Sequence, residues 1–167
     1  TFSIFAIFCY KNLKQFFFIP GIFLAVYIST FVRTRNLPGL KDITTGGWTL
    51  GPDLDPFLFL RYAKYIVENG SLMTVDMMRY VPLGFETAKE SMLLPYMMVY
   101  THKILSLFIS NVSVEYSAVI FPVLMFALTI VAFFFLVRKI FENYQYKDII
   151  ATISSLFLAV FPSLLSR

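Results

Sequence analysis

Residues 116–137 run for 22 positions without a charged side chain. A helix that crosses the hydrocarbon core of a bilayer needs about 20 predominantly apolar residues. In lipid its backbone polar groups have to be satisfied within the segment. No other feature narrows the fold as much. Composition then decides between bilayer and soluble core. The chain is 58% hydrophobic and 14% charged, where a soluble domain carries about a quarter charged residues. Twenty phenylalanines in 167 residues are also more than a small water-facing fold can hide. The chain reads as an integral membrane protein.

Two further stretches, 16–32 and 149–165, are uncharged over 17 residues each, at about the lower limit for a span. A fourth, 92–109, is apolar but holds Pro95, His102 and Lys103. Residues 2–10 are too short to cross. They lack a small-x-small exit site and are followed by Lys11 and Lys14, so no cleavable signal peptide is expected. No repeat, low-complexity tract or linker is visible, so the chain reads as one unit. A lone cysteine, Cys9, excludes an internal disulfide and a cysteine metal cluster and reads as a small packing residue. The net charge of +4 is spread along the chain without a basic run, which suits lipid head groups and argues against nucleic acid. The spans carry no ionisable residue to line a path, which argues against a channel or transporter.

Orientation follows from charge. Arg138, Lys139 and Lys147 outnumber Glu142 and Asp148 between the last two spans, which places that loop in the cytoplasm. The expected fold is all-α: a multi-span helical bundle with a large external first loop containing short interfacial helices. Its segments are a cytoplasmic N-terminal segment 1–15, transmembrane helix 16–34, external loop 35–115, transmembrane helix 116–137, cytoplasmic loop 138–148 and transmembrane helix 149–167. Arg33 and Arg35 stand against this orientation of the first span. If 92–109 crossed, the basic loop would move outside and His102 and Lys103 would enter hydrocarbon. A helix 92–110 lying along the outer interface is expected instead, its basic side chains reaching for head groups. Trp48 and the tyrosines suit an aromatic belt. Phe133-Phe134-Phe135 reads as lipid-facing or packed helix.

Inside the external loop, Asp53 and Asp55 flank Leu54 directly before Pro56. Acids held at a membrane face are candidates for function. Asp55 before a proline also has a plain reading, the N-cap of a helix 56–68 that stops at Asn69-Gly70. Arg61 lies about one and a half turns beyond Asp55, off its face, and reads as a structural ion pair. Asp76 and Arg79, three apart, read as a local pair. Residues 79–84 read as an extended strip into a turn, and Leu37-Pro38-Gly39 and Gly46-Gly47 as turns. His102 has no partner at ligand spacing, so zinc is not expected. Asn69-Gly70-Ser71 and Asn111-Val112-Ser113 are glycosylation sequons.

The ordered set Asp55-Pro56-Phe57, Arg61, Lys64-Tyr65-Ile66-Val67-Glu68-Asn69-Gly70, Asp76, Arg79-Tyr80-Val81-Pro82-Leu83-Gly84 and Leu94-Pro95-Tyr96 resembles the first external loop of the catalytic subunit of oligosaccharyltransferase. The likeness is greatest to archaeal members, and the fold it implies is GT-C-like. Residues 161–167 are similar to the stretch that enters that family's second acidic motif. The family pattern continues through thirteen spans to a soluble domain with a Trp-Trp-Asp motif. By this resemblance the chain is an N-terminal fragment, inactive without the remainder of the catalytic subunit.

What the resemblance implies is transfer of an oligosaccharide from a dolichyl or polyprenyl (pyro)phosphate to the asparagine amide of Asn-x-Ser/Thr. The active site would lie on the external face of the cell membrane. Its partners are the lipid-linked donor, an acceptor polypeptide and the bilayer. Its cofactor is Mn2+ or Mg2+, which suit oxygen ligands. Asp55 matches the family's first catalytic aspartate, with metal ligation and contact to the acceptor amide as its role. Asp53 is a substrate-binding candidate, although many relatives lack an acid there. Arg79 is a second, facing the lipid phosphate. Arg167 matches the arginine before the second acidic motif and would orient an acid or a phosphate; the plain reading is an interfacial anchor. Two competing readings are another polyprenyl-phosphate-sugar transferase, such as a mannosyl- or aminoarabinose transferase, and a non-enzymatic membrane assembly subunit.

Overall fold

The computed structural model describes residues 18–51 and 54–161. The chain divides into two compact units: Thr1–Asn36 with Val123–Arg167, and Leu37–Pro122. This corrects the expectation of a single unit. The second unit is inserted between the two segments of the first, and one boundary falls inside a helix, so no linker composition marks it.

In the first unit, helix α1 (Phe18–Thr34) packs on the last helix, α5 (Lys147–Ala159). The long helix α4 (Val114–Ile140) supplies the rest of the core from Val123 onward. Phe126 and Ile130 meet Ala25 and Ala159, and Phe134 and Val137 meet Ala151. The buried positions on α1 are Gly21, Ala25 and Ser29; those on α5 are Ala151, Ser155 and Ala159. Both sets recur every fourth residue and so form one stripe per helix. A Cβ added to Gly21 would collide with Thr152 Oγ1. The hydroxyls of Ser29 and Ser155 are buried without a partner among the described residues. Other large apolar side chains point away: Phe23, Tyr27 and Phe31 on α1, Leu128 and Leu136 on α4, Ile153 and Phe157 on α5 are all exposed. Arg138 at the end of α4 pairs with Asp148 at the start of α5, at 2.6 Å.

Among the described residues α4 is the one helix long and apolar enough to cross a membrane, by length and composition alone. As described, α1 has 17 residues and α5 has 13.

The second unit holds helix α2 (Asp55–Asn69), a two-stranded antiparallel ribbon and helix α3 (Leu93–Phe108). The ribbon pairs β1 (Val75–Asp76) with β2 (Phe85–Glu86), Val75 opposite Glu86 and Asp76 opposite Phe85. The all-α expectation is corrected to a mostly helical chain with this small hairpin. Two-residue strands carry too little alternation to be seen in a sequence. Gly84, at φ +77°, closes the turn, and a Cβ there would come 2.6 Å from Val75 Cγ1. Leu60, Tyr62, Ala63 and Ile66 bury one face of α2, against α3, which buries Pro95, Met98, Val99 and Thr101. Gly70, at φ +83°, ends α2 in a left-handed cap with its N–H on Ile66 O at 2.8 Å. The other face of α3 leaves Leu93, Tyr100, Ile104, Leu107 and Phe108 exposed.

Upstream, Lys41 and Trp48 form an isolated bridge around a tight loop. The Asp42 carboxylate accepts from Thr44 N–H, Thr44 Oγ1 and Thr45 Oγ1 at 2.7–2.8 Å. The hydroxyls of Thr44 and Thr45, then the Thr44 N–H, hold its pKa down to about 2.

Candidate functional site

Asp55 is the first residue of α2, with Pro56 next and Leu54 in the capping position. The N-cap expectation is therefore corrected. Leu54 already has helical dihedrals, φ −79° and ψ −34°, and its carbonyl accepts the N–H of Phe57 at 3.1 Å, so the helix begins one residue earlier than the proline rule suggested. Asp55 is exposed and stands in the first turn, where the helix dipole favours a negative charge.

What distinguishes Asp55 is the use made of its neighbours. Asp42 is tied to two threonines, Asp76 to Arg61, Glu86 to Lys89, Glu90 to Arg79 and Glu115 to Lys64. Among the acids described in Leu37–Pro122, Asp55 and Glu68 have no hydrogen bond or ion pair among the described residues. Glu68 sits at the far end of α2. Asp55 thus presents a carboxylate that the fold does not consume.

The most elaborate polar cluster is built on Asp76, which is 1% exposed. One of its oxygens accepts from Arg61 and from Tyr62 Oη at 3.0 Å; the other accepts from Met78 N–H at 3.0 Å. Arg79 Nη1 donates to Tyr62 Oη at 3.2 Å and to Glu90 at 2.5 Å, and its guanidinium lies over the Phe85 ring. Burial alone would raise the Asp76 pKa. The Met78 N–H, then the Arg61 and Tyr62 bonds, outweigh it and hold the carboxyl below its ordinary range. Hydrogen bonds to Glu90 and then Tyr62 raise the pKa of Arg79.

Arg61 therefore makes the structural ion pair read from its position. The local Asp76–Arg79 side-chain pair is corrected: Arg79 N–H bonds Asp76 O at 3.3 Å across the turn, but the two side chains take different partners and meet only through Tyr62. Arg79, a substrate-binding candidate, has its guanidinium in this cluster. Tyr62 and Glu90 were not legible as its members, because they lie 17 and 11 residues from Arg79 with no periodicity to connect them.

Asp53 and Arg167 lie outside the described residues. Among the described residues no three of His, Cys, Asp and Glu come together as a metal cage, so Asp55 offers a divalent ion one carboxylate here. His102 Nδ1 lies 3.0 Å from Ser117 Oγ, whose own proton goes to Ser113 O at 3.1 Å.

The family described as "Oligosaccharyl transferase STT3, N-terminal" matches residues 44–167, which takes in α2, the hairpin, α3, α4 and α5 with all four candidate residues. No curated protein and no solved structure matches the chain significantly. A match over most of its length settles the kinship: this chain belongs to the oligosaccharyl transferase STT3 family of membrane-associated glycosyltransferases.

Proposed function

We propose that the chain carries the first catalytic aspartate of an enzyme that moves an oligosaccharide from a polyprenyl phosphate or pyrophosphate to the side-chain amide of asparagine in Asn-x-Ser/Thr. The observation that carries the reading is the unconsumed carboxylate of Asp55 at the start of α2, inside the family match. A carboxamide nitrogen is a poor nucleophile because its lone pair is delocalised into the carbonyl. Asp55 would accept a hydrogen bond from the acceptor N–H and orient that nitrogen toward the anomeric carbon. Arg167 would orient an acid or the departing phosphate with its fork of donors, and Asp53 and Arg79 would contact the substrates.

Asp55 would also give one ligand to Mn2+ or Mg2+, completed by water, substrate oxygens and groups outside the described residues. Such an ion stabilises negative charge on the departing phosphate.

Three transmembrane helices, 16–34, 116–137 and 149–167, with α2 and Asp55 on the external face of the cell membrane, complete the proposal. Its support is the packing of α1 on α5. Small residues face inward and large apolar ones outward, as between helices in lipid, where burial of apolar surface gives no drive and close approach does.

The test is glycan transfer from a lipid-linked donor to a sequon peptide by the complete open reading frame. Wild type and Asp55→Ala are compared with Mn2+ and after chelation. Transfer that needs the ion and falls at least about 100-fold in the variant is expected. Unchanged transfer in Asp55→Ala removes Asp55 from the chemistry. Donor consumption without peptide labelling favours another lipid-sugar transferase.

A further inference from the structure

We propose that Asn69 is itself a modification site, an acceptor for an N-linked glycan, and that the second sequon, at Asn111, is not. The proposal rests on the external placement of α2 put forward above. Asn69 is the last residue of α2, and Asn69, Gly70 and Ser71 are all exposed. Its Nδ2 gives one hydrogen to Tyr65 O at 3.0 Å, which leaves the second pointing away from that bond. Gly70, left-handed at φ +83°, turns the chain out of the helix, so Ser71 is free of helical geometry. The last turn of a helix frays at little cost, and an enzyme could draw the three residues out without disturbing Ile66, the last buried position of α2.

Asn111 is placed differently. It occupies a turn at φ +58°, but its sequon serine is built into the start of α4. Ser113 Oγ accepts the Tyr116 N–H at 3.1 Å, and Ser113 O accepts from Ser117 Oγ at 3.1 Å. The uncharged run begins at residue 116, which in a membrane would hold the Asn111 amide near the lipid surface. Releasing Ser113 would uncap the longest helix among the described residues.

The reaction at Asn69 is a substitution. Nδ2 bonds to the anomeric carbon of a sugar carried on a polyprenyl phosphate or pyrophosphate. The anomeric C–O bond to phosphate breaks with its electron pair, and one amide proton passes to phosphate or water.

The complete open reading frame, produced in a host that N-glycosylates, provides the test. Trypsin releases 65–79 with Asn69 and 104–138 with Asn111, and mass spectrometry reads both. In a background stripped of every other cysteine, Cys9 included, Ser91→Cys is probed on intact cells with a membrane-impermeant maleimide; no apolar stretch separates it from Asn69. The expected result is external labelling together with a glycan mass on 65–79. That mass is lost in Asn69→Gln and in Ser71→Ala, and 104–138 stays unmodified. External labelling with a bare 65–79 peptide overturns the proposal and leaves the placement standing. Lack of external labelling overturns the placement, and the proposal with it. A glycan on Asn111 overturns the ranking of the two sites.

Discussion

Asp76 is the residue whose loss the fold should feel most. Replacing it with Asn removes the counter-charge of Arg61 and sets an amide NH2 against the Arg61 and Tyr62 donors, while the remaining amide oxygen can still accept from Met78 N–H, at a cost of about 3 kcal/mol. Tyr62→Phe removes one bridging hydroxyl and should cost about 1 kcal/mol. The depressed pKa fixes the pH dependence. The folded value lies below the unfolded one, about 3.9, so the contribution is present above that value and disappears as pH falls through the folded pKa. Melting curves in detergent should show wild type and Asp76→Asn converging below about pH 4, with wild type clearly more stable at pH 7. Equal melting temperatures at pH 7 would remove the ion pair from the account. Arg61 shows how far a residue can be read in advance. Its position off the Asp55 face announced a structural pair, whereas its partner, 15 residues away, depends on a hairpin that periodicity cannot show. The supposed Asp76–Arg79 pair failed for the same reason, since spacing along a turn says nothing about a helix packed beside it.

At the scale of elements, the pairing of α1 with α5 makes two opposite predictions. Gly21→Leu pushes a side chain into Thr152 and should destabilise by about 1–3 kcal/mol. Ser155→Ala removes a hydroxyl without a partner among the described residues and should be neutral or stabilising by up to about 1 kcal/mol. Unfolding in a graded detergent series measures both; a strongly destabilised Ser155→Ala would reveal a bond supplied from elsewhere. The stripe was present in the sequence at four-residue spacing, but a count of apolar residues ranks Gly, Ala and Ser low and passes over it. Helix α2 was legible nearly to its ends, because Pro56 and Gly70 punctuate it. The ribbon was not, since strands as short as Val75–Asp76 and Phe85–Glu86 carry no alternation.

For the whole molecule, α3 is the element on which the proposed topology turns. Its buried face packs on α2, while Leu93, Tyr100, Ile104, Leu107 and Phe108 remain exposed. Cysteines at 91 and 110, one on each side of α3, should label from the same side of a sealed membrane if α3 lies along the interface. Labelling from opposite sides would make α3 a span and reverse the basic 138–148 loop. The pairing of Asp76, Glu86, Glu90 and Glu115 with Arg or Lys in Leu37–Pro122 bears on how ligands arrive. Opposite charges in contact cancel at a distance, and what field remains is screened within about 8 Å at physiological ionic strength. A surface on which most opposite charges are in contact steers only weakly from afar. Recognition at Asp55 is then a matter of short-range fit, and the rate of substrate capture should change little when salt is raised, unlike capture by a charged funnel.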